Sequence, residues 1–172
     1  MPTFTDIGHD QVVADVLALA AAIAADADWQ PTYIIGVGRG GLVPAVYLSH
    51  ATGLPALSCD LSSHIKDFAD EVLVRLAART RTGERLVFVD DINDSGRTIG
   101  LLRTALAEAG AVDGAVRFAT LLDNTVSGQR VEYRARTIDR TVTKDWYVFP
   151  WEALAPADTI AEDAAEVPDR IA

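Results

Sequence analysis

The chain has 172 residues, of which 49% are hydrophobic, and it carries a formal net charge of −10 with a single cysteine. This length suits one domain with a full core, a lone cysteine excludes an internal disulfide, and no apolar run approaches the roughly 18 residues of a membrane span. The acidic charge opposes the phosphate neutralisation on which nucleic-acid binding depends, so we expect a soluble cytoplasmic protein without membrane or nucleic-acid partners.

The first part of the chain predicts a helix and then a strand-helix-strand unit. Apolar residues recur at helical spacing over residues 11–27, where Asp10 is placed to cap the helix. The unit that follows consists of a strand over residues 32–37, a glycine-rich turn at 38–40, a helix over 41–52 and a strand over 54–59. This is a βαβ arrangement, which implies parallel strands.

The second part continues the alternation after an interruption. Residues 60–82 mix acidic, polar and arginine residues without a clear period, so we expect a mobile excursion with partial structure there. Further on, the pattern predicts a helix over residues 97–109 and strands over 85–89, 115–122, 133–138 and 146–149. Residues 153–172 are rich in Ala, Asp, Glu and Pro, and predict a weak helix or a loose tail.

This alternation indicates a single α/β domain over residues 1–172, with a mainly parallel sheet flanked by helices. In such sheets, ligands bind at the carboxyl ends of the strands. Two unusual segments fall at that edge, because residues 38–40 follow the first strand of the βαβ unit and residues 90–96 follow the strand over 85–89. We therefore expect the functional site where these two segments meet.

The first of these segments also fits a different function. Residues 36–41 match the G-x-G-x-x-G pattern of dinucleotide-binding folds, and Asp60 stands near the end of the next strand, where it could accept a hydrogen bond from a ribose hydroxyl. Two observations oppose this interpretation. The chain leaves little room for a separate catalytic domain, and a dinucleotide site assigns no role to residues 90–98.

Residues 90–98 favour a ribose 5-phosphate site. Asp90 and Asp91 are adjacent carboxylates at a strand end, suited to the two hydroxyls of a sugar or to a hydrated Mg²⁺. The stretch 94–98 then supplies small residues, a glycine and hydroxyls at a helix start, where successive N–H groups can point at a phosphate. The simpler alternative is a solvated strand end followed by Ser95 as an ordinary helix cap.

Three segments together resemble the type I phosphoribosyltransferases, in their xanthine/guanine and hypoxanthine branch. Residues 89–98 are similar to the motif that binds phosphoribosyl pyrophosphate (PRPP), residues 34–44 to the pyrophosphate loop, and residues 146–152 to the base-binding hood. The resemblance implies Mg²⁺-dependent transfer of phosphoribose from PRPP to a nucleobase, a 6-oxopurine in purine salvage, with release of pyrophosphate. It also implies a homo-oligomer, namely a dimer, with a flexible lid over residues 61–82 and a hood region over 123–152.

The resemblance further implies which residues form the PRPP site. The residues implied to bind PRPP are Arg39, Gly40, Asp90, Asp91, Asp94, Ser95, Gly96, Arg97 and Thr98. Of these, Asp90 and Asp91 are also implied to hold the metal ion. Asp94 is implied to be the catalytic carboxylate, which accepts or relays the proton of the base.

The resemblance implies a base site in the hood, and the chain departs from the family pattern there at one position. Trp146 is implied to stack on the base, while backbone groups of Tyr147 read its edge. The family's purine enzymes carry a lysine that holds the purine O6, where this chain has Asp123 and Asn124. Asn124 can donate that hydrogen bond but lacks the charge of a lysine.

Two other functions remain open at this stage. A phosphoribosyltransferase without that lysine could use a pyrimidine or another heterocycle as its acceptor. A non-catalytic regulator that senses PRPP would keep the same ribose-phosphate site without transferring phosphoribose, because one fold can serve unrelated functions.

Overall fold

The computed structural model describes residues 3–60 and 66–165, and for residues 66–70 the backbone alone. The strands are β1 (Phe4–Asp6), β2 (Tyr33–Val37), β3 (Ala56–Cys59), β4 (Leu86–Asn93), β5 (Val116–Asn124), β6 (Tyr133–Ile138) and β7 (Trp146–Val148). The helices are α1 (His9–Ala25), α2 (Gly38–Thr52), α3 (Lys66–Arg81), α4 (Arg97–Glu108), a 3₁₀ helix (Pro150–Glu152) and α5 (Ala157–Ala165). Within the described ranges, no helix is both long enough and apolar enough to cross a membrane.

Five strands form one parallel sheet in the order β3-β2-β4-β5-β6. This confirms the predicted α/β class with a mainly parallel sheet flanked by helices. The winding direction reverses between β2 and β4, because the chain leaves β2 through α2 toward the β3 edge and leaves β4 through α4 toward the β6 edge. A doubly wound sheet binds its ligands in the crevice at such a reversal.

Hydrophobic cores cover both faces of this sheet. The face under α1 and α2 buries the α1 side chains Val12, Val16, Leu19 and Ile23. These are the positions whose spacing predicted the helix, and burying each such side chain contributes roughly 1.5–3 kcal/mol. The opposite face is covered by α3 and α4, whose buried side chains are Leu73, Leu76, Ala77, Ile99, Leu102 and Leu106.

Several element boundaries differ from the predicted ones. The N-cap of α1 is Gly8, so Asp10 lies in the first turn and does not cap the helix. The glycine-rich turn predicted at residues 38–40 is the first turn of α2. The strand predicted to end at residue 89 continues as β4 to Asn93, because pairing with β5 overrides the local preference of polar residues for turns.

Two segments without a strong predicted pattern contain helices, and in the second a weak helix was one of the two predicted outcomes. Most of the excursion predicted over residues 60–82 is α3, which a pattern of scattered apolar residues among charges did not reveal. The rest of the predicted lid, residues 61–65, lies outside the described residues, so the lid role stays a prediction. Of the tail predicted over 153–172, the middle part is α5, and residues 166–172 lie outside the described residues.

A second, two-stranded sheet consists of β1 and β7, which pair in parallel. The N–H of Trp146 donates to the carbonyl oxygen of Thr3 at 2.7 Å, and the N–H of Ile7 donates to that of Val148 at 2.8 Å. At three residues, β1 is too short to show a period, and the sequence did not predict it. The segment predicted to hold the base is therefore anchored by the N-terminal strand.

The contact between α2 and β4 can be tested with two helical glycines. A Cβ at Gly41 would lie 2.0 Å from the carbonyl oxygen of Val89, whereas a Cβ at Gly100 would find its nearest neighbour at 3.5 Å, in the side chain of Gln129. We predict that Gly41→Ala lowers the free energy of unfolding by about 1–3 kcal/mol, because backbone atoms must shift. Gly100→Ala should raise it by about 0.5–1 kcal/mol, through helix propensity. Urea denaturation of both variants measures this, and a neutral Gly41→Ala would contradict the close packing.

Candidate active site

The candidate site lies at the reversal between β2 and β4, where the first turn of α2 crosses the end of β4. A Cβ at Gly40 would lie 2.4 Å from Oδ2 of Asp91, so the carboxylate occupies the space that a side chain would need. Gly41 contacts the backbone of Val89 in the same way. Only glycine permits both approaches. The two segments singled out in the sequence are therefore in direct contact.

The same packing explains the glycine pattern that suggested a dinucleotide site. A Cβ at Gly36 would lie 3.0 Å from the Cβ of Ala45, so Gly36, like Gly41, is where α2 packs closely on the sheet. In dinucleotide-binding sheets, a further parallel strand lies beyond the strand that corresponds to β3. Among the described residues, β3 is the edge of the sheet. The strand order therefore opposes the dinucleotide interpretation.

Asp90 and Asp91 are partly buried carboxylates at the end of β4. The N–H of Asp91 donates to Oδ1 of Asp90 at 3.0 Å. Burial raises the pKa of Asp90 well above its usual range, and the neighbouring charge of Asp91 raises it further. Burial also raises the pKa of Asp91 from an ordinary 3.8 to about 6, with the charge of Glu152 as the second cause. Acidic groups are thus crowded together where a sugar diol or a cation was predicted to bind.

Glu152 is a third carboxylate of this site, and it was not among the predicted site residues. It lies in the 3₁₀ helix, where its Oε2 accepts a hydrogen bond from the N–H of Phe149 at 2.8 Å. Burial raises the pKa of Glu152 and the charge of Asp163 raises it further, while the guanidinium of Arg39 acts in the opposite direction. Arg39 itself is exposed. The position of Glu152 at the end of the hood segment was the available sequence signal.

The segment after β4 is the one in which the sequence predicted a phosphate loop. Gly96 has a φ of +87° and is the N-cap of α4, so Ser95 is not the ordinary cap of the simpler alternative. Instead, Oγ of Ser95 accepts a hydrogen bond from the N–H of Arg97 at 3.3 Å. Arg97 and Thr98 are exposed in the first helical turn. This geometry turns the N-terminus of α4 outward, as an anion site requires.

The connection between β5 and β6 supports this loop from behind. The side-chain amide of Asn93 donates to Oδ1 of Asp123 and to the carbonyl oxygen of Gln129, both at 2.8 Å. The hydroxyl of Ser127 donates to Oδ1 of Asn93 at 3.0 Å. A Cβ at Gly96 would lie 2.7 Å from the backbone nitrogen of Gln129, so this connection also requires glycine there. The sequence did not reveal this support, because its residues are distant along the chain.

Asp94, the predicted catalytic carboxylate, is paired with Arg140. Nε of Arg140 donates to Oδ1 of Asp94 at 2.8 Å, and Nη2 donates to Oδ2 at 2.9 Å. The side chain of Arg140 is 1% exposed and that of Asp94 is 12% exposed. Arg140 belongs to the connection between β6 and β7, where no motif drew attention to it.

The predicted base-binding residues lie near this pair. Trp146 and Tyr147 are half-buried in β7, and the guanidinium of Arg140 lies 5.3 Å from the centre of the Tyr147 ring. Asn124 is buried, and its amide group donates to the carbonyl oxygen of Asp94 at 2.9 Å while its Oδ1 accepts from the N–H of Arg140 at 3.2 Å. Asn124 therefore braces Asp94, and its hydrogen bond to a base stays a prediction.

Comparison with known proteins identifies the family to which this sequence is similar. The sequence profile of the phosphoribosyl transferase domain family matches residues 6–156. The chain is 29% identical over 122 residues to a xanthine-guanine phosphoribosyltransferase of Idiomarina loihiensis, which covers 69% of this chain and 70% of that protein. The matched residues begin at the last residue of β1 and end beyond the 3₁₀ helix, so they include the whole five-stranded sheet and β7.

Solved structures show the same architecture. A purine phosphoribosyltransferase from Pyrococcus horikoshii is similar with a TM-score of 0.64 and 26% identity, covering 88% of this chain and 95% of that one. A hypoxanthine-guanine phosphoribosyltransferase from Bacillus anthracis is similar with a TM-score of 0.59 and 25% identity, covering 81% of this chain and 84% of that one. The fold is thus shared over most of each chain.

We predict that the ionised Asp91 carboxylate lowers the free energy of unfolding, because it is partly buried near other acidic groups. The pKa of Asp91 is about 6 in the folded protein against an ordinary 3.8, so the folded state holds this proton more tightly than the unfolded state. Stability therefore falls as the pH rises from about 4 to 6 and stays low above that range. We predict that Asp91→Asn raises the free energy of unfolding by up to about 3 kcal/mol at pH 8, and by little at pH 4.

Denaturant unfolding at the two pH values measures this effect. Asp139→Asn is a control of opposite sign, because hydrogen bonds from the hydroxyl and the N–H of Thr141 lower the pKa of Asp139. That variant should lose stability at pH 8. An Asp91→Asn variant no more stable than the wild type at pH 8 would show that the carboxylate is not under electrostatic strain.

Proposed function

This chain belongs to the phosphoribosyltransferase family, and we propose that it transfers phosphoribose from PRPP to a 6-oxopurine, with release of pyrophosphate. The observation that carries the proposal is the junction of two anion-binding elements. The carboxylate pair of Asp90 and Asp91 stands between the outward-facing start of α4 and the first turn of α2. The choice of a purine is supported by relatives named for purine, xanthine-guanine and hypoxanthine-guanine substrates.

In this proposal, the phosphate loop and the carboxylates bind the two ends of ribose 5-phosphate. The terminal phosphate binds the loop made by Ser95, Gly96, Arg97 and Thr98, where N–H groups and the helix dipole favour an anion. Asp90 and Asp91 accept hydrogen bonds from the ribose hydroxyls. The pyrophosphate of PRPP extends toward Arg39 and Gly40, where an exposed guanidinium is available.

The residues at the end of β4 fit a magnesium ion. Burial raises the pKa values of Asp90 and Asp91, and the charges of Asp91 and of Glu152, respectively, raise them further. A divalent cation would relieve this crowding of acidic groups. In the described part of the chain, no three acidic, histidine or cysteine side chains form a complete metal-binding group. Mg²⁺ commonly takes one or two carboxylates and completes its shell with substrate phosphates and water. When bound, the ion would neutralise charge that accumulates on pyrophosphate.

The transfer separates charge. The bond between C1 of ribose and the pyrophosphate oxygen breaks, its electron pair leaves with pyrophosphate, and a nitrogen of the base forms the new bond to C1 with inversion. Positive charge develops on the sugar and negative charge on the leaving group. The carboxylates of Asp90 and Asp91 face the sugar, and Arg39 serves the leaving group. Asp94 accepts the proton of the base or holds it through a hydrogen bond.

Trp146 and Tyr147 complete the site by holding the base. The Trp146 ring stacks on it, and backbone groups of Tyr147 bind its edge, which restricts the approach of the base to C1. Asn124 is uncharged, which leaves a different heterocycle as a second candidate acceptor.

Pyrophosphate release measures the proposed activity directly. We expect the purified protein with Mg²⁺ and PRPP to release pyrophosphate when hypoxanthine, guanine or xanthine is added. Release with uracil or orotate alone would keep the transfer and replace the acceptor. PRPP binding without release for any base would contradict the enzyme and favour a PRPP-sensing regulator.

The carboxylate pair provides a second prediction. Asp90→Ala and Asp91→Ala should each weaken binding of PRPP with Mg²⁺ by at least about tenfold, because a hydrogen bond to a charged group contributes roughly 1.5–3 kcal/mol. Isothermal titration calorimetry measures the affinity. Asp113→Ala is a matched control, since Asp113 is exposed in the connection between α4 and β5, at the other end of the sheet. Wild-type affinity in both site variants would contradict the assignment of Asp90 and Asp91 to PRPP binding.

A further inference from the structure

We propose that Arg140 is a positioning residue for transfer to the base: it holds the Asp94 carboxylate and the base-binding strand β7 in one fixed arrangement. This inference rests on the function proposed above and adds a residue that neither the sequence patterns nor the family resemblance singled out. Arg140 acts through Asp94 and does not itself touch the reacting atoms.

The contact between the two side chains is a bidentate ion pair. Both oxygens of Asp94 accept hydrogen bonds from one planar guanidinium, at 2.8 and 2.9 Å. Such a fork leaves the carboxylate a single orientation, which one point charge could not impose. Arg140 is 1% exposed and Asp94 12% exposed, so solvent reaches the carboxylate side of the pair more than the guanidinium.

The other contacts of Arg140 reach the base-binding strand. Nη1 donates to the carbonyl oxygen of Asp145 at 2.5 Å, one residue before β7. The guanidinium also lies over the ring of Tyr147, and the N–H of Arg140 donates to Oδ1 of Asn124. One side chain thus connects the phosphate loop, the end of β5 and β7. Its removal should displace Asp94 relative to the residues predicted to hold the base.

A second ion pair provides a matched control for a purely structural role. Arg136 in β6 donates to both oxygens of Asp15 in α1, at 2.8 to 3.1 Å, and Asp15 is 3% exposed. This pair has the same bidentate chemistry and joins two elements of the fold outside the candidate site. Breaking either pair should lower the melting temperature, but only the Arg140 pair should control turnover.

The first experiment compares Arg140→Gln, Arg140→Lys and Arg136→Gln in the pyrophosphate-release assay. We expect Arg140→Gln to lower kcat at least about 100-fold, the effect of a misplaced catalytic group, while KM for PRPP stays within about threefold because the phosphate loop is intact. Arg140→Lys should recover part of kcat through one remaining charged hydrogen bond. Arg136→Gln should keep the wild-type kcat. Equal losses of kcat in Arg136→Gln and Arg140→Gln would show a structural role and overturn the proposal.

The second experiment is a double-mutant cycle with Asp94→Asn. If Arg140 acts through Asp94, the double variant Asp94→Asn/Arg140→Gln should turn over as fast as Asp94→Asn alone. Independent, multiplied losses would overturn the proposal. If Arg140→Gln does not fold, Arg140→Lys, which keeps one charged hydrogen bond to Asp94, takes its place in the cycle.

The two proposals fail in different ways. A wild-type protein that releases no pyrophosphate with any base overturns the proposed function, and this inference with it. An active wild type whose Arg140→Gln variant keeps the wild-type kcat overturns the inference alone.

Discussion

The close contact between α2 and β4 is the constraint on which the rest of the site depends. Without a Cβ at Gly40 and Gly41, the first turn of α2 lies directly against Asp91 and the backbone of Val89. This contact places the first turn of α2 at the point where the winding of the sheet reverses, and Arg39 in that turn lies close enough to Glu152 to lower its pKa. A larger residue at either glycine would separate the first turn of α2 from the end of β4. The geometry of the candidate site therefore depends on these two glycines.

Charge is balanced differently in the two halves of the site. Near Asp91 and Glu152, partial burial raises the pKa values of both carboxyl groups, and neighbouring negative charges raise them further. The part of the site near Asp91 and Glu152 would therefore suit a cation or the hydroxyls of a sugar, both of which carboxylates bind. Near Asp94, the Arg140 guanidinium balances the carboxylate in a desolvated pair. The part of the site near Asp94 would suit the proposed uncharged base, because its charge is already balanced. Such a base would gain a hydrogen-bond acceptor of fixed orientation.

Elements with a strong local period were predicted, and residues whose roles arise from long-range contacts were not. The spacing of Val12, Val16, Leu19 and Ile23 predicted α1, and the helix start expected near residue 97 is the start of α4. In contrast, α3 was missed because its apolar residues lie among charges, and Arg140 was missed because its partner is 46 residues away along the chain. Local pattern carries no information about such partners.

The sequence by itself determined the class of fold, the family and the two segments that meet at the strand edge. Periodicity and turn chemistry are properties of neighbouring residues, so they can be read without coordinates. Only the tertiary structure decided how the site is completed: β1 anchors β7, Glu152 joins Asp91, and Arg140 holds Asp94. Each of these contacts exists because the parallel sheet and its connections bring distant segments to one edge, where burial makes charge and orientation matter.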